Sequence, residues 1–161
     1  MRRTNFRLIP TWLALSCALF AGSAAAAPAP ANEAVAEAEI QALAVMEAFL
    51  DAFNNRDEVA WADTLVFPHL RMASGTVVVY QNRAEFLAAM DLDAFAQNTG
   101  WRRSTWDDMA VVQSSMRKVH IQVRFSRFDE NDELIASFDS LYIIEPVDGR
   151  WGVRARSSFA P

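Results

Sequence analysis

Arg117–Phe128, RKVHIQVRFSRF, alternates between two chemistries along its length. Val119, Ile121, Val123 and Phe125 fall on one side of an extended chain; Lys118, His120, Gln122, Arg124 and Ser126 fall on the other. A period of two puts successive side chains on opposite faces of a sheet, so one face is core and the other is wet or meets a partner. The acidic run Asp129-Glu130-Asn131-Asp132-Glu133 reads as a hairpin loop, with Leu134–Glu145 as the returning strand. Asp148-Gly149 then turns into a last strand over Arg150–Phe159. Upstream, Arg103–Gln113 reads as the strand that opens this antiparallel meander.

Ahead of the meander the period changes. Leu43, Met46, Leu50 and Phe53 recur at helical spacing, and Ile40 and Phe49 widen the stripe, which predicts an amphipathic helix over Ala34–Asn54. Asp57 is placed to cap a second, short helix from Glu58 to about Leu65, ended by Pro68. His69–Ala73 and Val77–Tyr80 read as strands around Ser74-Gly75. Asn82-Arg83-Ala84-Glu85 is a capping box with Asn in the Ser/Thr position, opening a helix through Phe86, Leu87 and Met90. Thr99-Gly100 closes the helical half. Helices first and an antiparallel meander after them give an α+β domain with three N-terminal helices on one face of the sheet.

The first residues belong to a different kind of segment. Met1-Arg2-Arg3 and Arg7 precede an apolar run from Leu8 to Phe20 and a small-residue exit, Ala21-Gly22-Ser23-Ala24-Ala25-Ala26-Ala27. These are the three parts of a secretory signal peptide. The apolar run is shorter than the roughly 20 residues that span a bilayer, so no stable membrane anchor is expected after cleavage. The reading is a signal peptide over 1–26, a Pro/Ala tether over 27–33 and one domain over 34–161, in a protein that is periplasmic or secreted.

Composition then changes meaning. The whole chain has 161 residues, 15 basic and 20 acidic, for a net charge of −5. Cleavage removes Arg2, Arg3 and Arg7 and no acid, leaving −8, and it also removes Cys17, the one cysteine. A domain at −8 does not bind nucleic acid through phosphate neutralisation. With no thiol and two His far apart, no metal site and no cofactor are expected. The chain has no G-x-S-x-G, H-E-x-x-H, P-loop or G-x-G-x-x-G motif.

The order of elements resembles the nuclear transport factor 2-like superfamily, including SnoaL-like polyketide cyclases and ketosteroid isomerase. The likeness is carried by AVMEAFLDAFNNRD (Ala44–Asp57) running into EVAWADTLVFPHLRMASGTVVVY (Glu58–Tyr80), by NRAEFLAAM (Asn82–Met90), and by SFDSLYIIEPVDGRWGVRARSSFA (Ser137–Ala160). FPHLRMASG and RSSFA are similar to a bacterial SnoaL-like subgroup. The resemblance implies a cone-shaped fold in which a curved sheet wraps the helices around an apolar pocket. It also implies a homodimer formed through the outer sheet face. The fold hosts enzymes, ligand binders and association modules alike, so it does not by itself assign an activity.

Each candidate residue carries two readings. The resemblance places a catalytic carboxylate near the end of the first short strand, and this chain has His69-Leu70-Arg71-Met72-Ala73 there instead. His69 is then a candidate base, and Arg71 or Tyr142 a candidate oxyanion partner; the competing reading is that His69 and Arg71 fix the loop after Pro68. Phe49, Phe53, Trp61, Trp106 and Asp107 are candidate ligand-pocket residues, with Asp107 as acid or base and Trp101 close by. Against that, the tryptophans could cover the helix–sheet seam while Asp107 pairs with an arginine. Arg154 and Arg156 read as sharing one face of the last strand, available to bind an acid or to carry an inter-subunit salt bridge to residues such as Asp139. The expected function is binding of a small apolar or aromatic molecule by an exported protein. The alternatives are a cofactor-independent isomerase, cyclase or dehydratase of SnoaL type, and a dimeric protein-association module.

Overall fold

The computed structural model describes residues 31–161; the signal peptide expected over 1–26 and the first part of the expected tether lie outside them. The elements run α1 (Ala31–Asn54), α2 (Glu58–Asp63), β1 (Leu65–Ala73), β2 (Thr76–Tyr80), α3 (Arg83–Ala89), α4 (Leu92–Thr99), β3 (Arg103–Ser115), β4 (Lys118–Phe128), β5 (Leu134–Val147) and β6 (Arg150–Ser158). The first helix begins three residues earlier than its stripe predicts and takes in the end of the tether.

Six strands form one open, curved sheet in the order β2-β1-β6-β5-β4-β3. The meander β3 to β6 is antiparallel throughout, but β1 joins it beside β6 in parallel. The sheet is therefore mixed rather than wholly antiparallel. Pro68 lies within β1, where the register to β6 shifts between Leu65 and Leu70. Proline has no N–H to give a ladder and is tolerated at such an irregularity. Arg154 donates to the Pro68 carbonyl at 2.9 Å.

Four helices, not three, are present among the described residues, because Met90 adopts an extended backbone and breaks the third. Asp91 then caps a new helix by accepting from the Ala94 N–H, and Gly100 closes it in the left-handed region at φ 70°. The capping pair at α3 forms as its sequence suggests: Asn82 accepts from the Glu85 N–H, while the Glu85 carboxylate accepts from Gln81.

Val119, Ile121, Val123 and Phe125 are all buried, and Lys118, Gln122 and Arg124 are exposed. Ser126 is the exception on the outer face, covered by hydrogen bonds to Asp107 and Ser137. Across the sheet, α1 buries Ala38, Ala42, Met46, Phe49 and Ala52. Alanines in its first half let the backbone approach the strands closely, whereas Phe49 and Phe53 occupy far more space in its second half. That end holds the cavity.

Candidate functional site

The cavity lies between the second half of α1, the shorter helices and the inner face of the sheet. Its deep end, about 20 Å³, has room for one water and is lined by Phe49, Phe53, Trp106, Phe125 and Tyr142. Beside it lies a wider region of about 260 Å³ bounded by Phe53, Trp61, Arg71, Tyr80, Met90 and Phe95, and Phe53, Arg127 and Arg156 line both. The aromatic wall is locked edge to face. Phe49 meets Trp61 at 5.4 Å and Tyr142 at 5.6 Å, and Trp61 meets Phe86 at 5.1 Å. Such contacts fix ring orientation as well as burying area.

Three guanidinium groups enter this apolar space. Arg71 of β1 and Arg156 of β6 are direct neighbours in the parallel ladder, and Arg156 in turn stands opposite Tyr142. Arg127 continues the apolar face of β4 two residues beyond Phe125. Among the described residues none of the three makes an ion pair, although six salt bridges form elsewhere. Arg127 stacks over Phe95 at 5.0 Å and Phe138 at 5.3 Å, and Arg156 over Phe125 and Tyr142, each at 5.6 Å. Burial pushes the Arg127 guanidinium down to about 10, and the Arg156 charge adds to that. Arg71 moves the same way, for burial first and Arg156 second. Burial raises the Tyr142 hydroxyl, against the pull of all three arginines.

The donor inventory is unbalanced. Among the described residues, the buried side-chain nitrogens with no hydrogen-bond partner are Trp61 Nε1, Arg127 Nε and Arg156 Nε. All three belong to residues lining this cavity.

A bulge in β6 explains why Arg156 points inward. The register passes from Ile144 opposite Val153 to Ile143 opposite Ala155, so Arg154 is an extra residue and every side chain after it changes face. Arg154 and Arg156 therefore do not share a face. Arg154 pairs with Glu145 at 3.1 Å, and Asp139 pairs with Arg124 instead.

His69 and Tyr142 do not converge. They stand on β1 and β5 with β6 between them, a lateral separation of about 10 Å. His69 is buried with its ring stacked on Tyr80 at 6.3 Å and its Nδ1–H donating to the Val153 carbonyl at 3.0 Å. A carbonyl only accepts, which sets that tautomer. Burial lowers the imidazole to about 4, with Arg156, Arg154 and Arg71 contributing, so it is neutral at pH 7. It is absent from the residues lining either region of the cavity.

Of the aromatic candidates, Phe49, Phe53, Trp61 and Trp106 line the cavity. Trp106 also donates to the Met46 carbonyl at 3.3 Å. Trp101 is buried beside Phe53 and gives its N–H to Ser104. Asp107 does not belong to the pocket. Strand alternation puts it on the face opposite Trp106, where it accepts from Thr105 and Ser126. Arg127 is the cavity arginine that the sequence reading misses, and Arg156 is one that it names without placing in the pocket. An arginine ending the apolar face of β4 is the signal for the first; nothing in the sequence marks the bulge that turns the second.

The model of the family described as NTF2-like protein (DUF6841) matches residues 37–158. The chain belongs to this NTF2-like family. Solved structures share its fold at low identity. A Nostoc punctiforme protein of unknown function with a cystatin-like fold is 10% identical at a TM-score of 0.63, over 76% of this chain and 90% of that one. An NTF2-like protein of Cytophaga hutchinsonii is 21% identical at 0.56, over 74% and 94%. A Catenulispora acidiphila protein in complex with S-DNPA is 13% identical at 0.60, over 77% and 93%. A search of curated proteins finds no match.

Proposed function

We propose that this NTF2-like protein is exported and binds one small, largely apolar molecule in the cavity beneath the second half of α1, as a homodimer paired through the outer sheet face. The observation that carries the reading is the cavity itself: a region of about 260 Å³, walled by aromatic rings, beside a narrow apolar pocket. Concave, mostly apolar sites with a few polar groups are where small molecules bind. The Catenulispora protein of the same fold, crystallised with S-DNPA, is consistent with it. Binding is favoured over His-based isomerisation, because an imidazole near 4, stacked on Tyr80 and outside the lining, is a poor base at neutral pH. Trp61 and Trp106 border the cavity, so their emission reports occupancy. Titration with a panel of one- and two-ring aromatic molecules is expected to give saturable quenching at one molecule per chain for at least one of them. Quenching that never saturates across the panel contradicts the reading.

A further inference from the structure

We infer that the ligand of this cavity is a carboxylate carried on an aromatic or other apolar body, its anionic end held by Arg71, Arg127 and Arg156. The inference rests on the binding role proposed above and adds the ligand's chemistry. Three cations converge on one cavity of an acidic chain, and among the described residues no carboxylate lies within ion-pairing distance of any of them. Asp91 and Pro161 border the wide region, but the Asp91 carboxylate is exposed and caps α4, and neither residue forms an ion pair with the three arginines. All three are half-buried, and a charge partly withdrawn from water without an ionic partner is unfavourable. Stacking on Phe95, Phe125, Phe138 and Tyr142 offsets part of that cost. A ring face, however, does not accept the in-plane hydrogens on Arg127 Nε and Arg156 Nε.

Those two nitrogens and Trp61 Nε1 make the cavity rich in donors and short of acceptors. A carboxylate is the complement: it only accepts, at two oxygens with about four lone-pair sites, and it meets a guanidinium edge in a bidentate fork. An inorganic phosphate satisfies the donors too, but makes no use of the rings of Phe53, Trp61 and Phe95 that wall the region of about 260 Å³, and it carries more charge out of water. Arginine donors and aromatic walls around one region therefore select a molecule with one anionic and one apolar end.

Calorimetric titration of the protein with 2-naphthoate, 2-naphthamide and inorganic phosphate tests this. The amide keeps the ring and removes the charge. Naphthoate is expected to bind about tenfold or more tightly than naphthamide, and phosphate more weakly than both. R127Q and R156Q are each expected to weaken naphthoate by about tenfold and leave naphthamide within about threefold. The comparison of probes on the unaltered protein does not depend on either variant folding. Equal binding of naphthoate and naphthamide overturns the anionic assignment and leaves the small-molecule reading standing. Phosphate binding as tight as naphthoate overturns the apolar-body half of the inference. Failure of both naphthyl probes at millimolar concentration overturns the inference and counts against the binding role itself.

Discussion

Stacked on Tyr80 and bonded to the Val153 carbonyl, His69 stays neutral in the folded protein down to about pH 4, whereas an unfolded histidine titrates near 6.5. Between those values the unfolded chain holds a proton that the folded one refuses, so stability rises with pH. The His69 contribution is complete above pH 6.5 and is lost as pH falls toward 4, a change of about 3 kcal/mol. H69Q keeps a donor for Val153 and has no titrating ring. Urea denaturation at pH 7, 5.5 and 4 is expected to show H69Q losing about 3 kcal/mol less than the parent over that span; parallel losses contradict it. At this scale the sequence names residue types but not their surroundings. His69 reads equally well as a base or as a packed side chain, since the choice depends on Tyr80, Phe86 and the neighbouring strand, none of which is local to it.

Gly152 shows how closely β6 approaches the start of β1. A Cβ there would lie 2.8 Å from Val66 Cγ1 and 2.9 Å from the Thr64 carbonyl oxygen, and the second contact is backbone. Gly152→Ala is expected to cost about 1–3 kcal/mol by pushing the two strands apart, seen as a lower urea midpoint at unchanged slope. An unchanged midpoint would mean that this junction yields without cost. Elements with a strong period are legible in the sequence: the apolar alternation of β4 places its core face, and the stripe on α1 places Phe49 and Phe53. The parallel pairing of β1 with β6 is not legible, because it joins residues more than 80 positions apart. The bulge beside Arg154 is equally silent, since one inserted residue leaves the composition of the strand unchanged while reversing the direction of Arg156. One of the three arginines of the cluster owes its direction to that single register shift.

For the whole molecule, the sign of the charge is the informative quantity. A chain with 20 acidic and 15 basic residues keeps three of its arginines inside one cavity and out of ion pairs among the described residues. The outer sheet face presents Leu141 beside the Arg124–Asp139 pair, a mixed surface of the kind two copies could share. No helix among the described residues is long and apolar enough to cross a membrane. These features and the basic, apolar and small-residue order of the first 26 residues all bear on one measurement: native mass spectrometry of the protein recovered from outside the cytoplasm of the cell that makes it. The account predicts a dimer of chains that begin at Ala27, each carrying one small molecule that leaves on denaturation. A bare protein mass together with a stable heteromeric complex would contradict it.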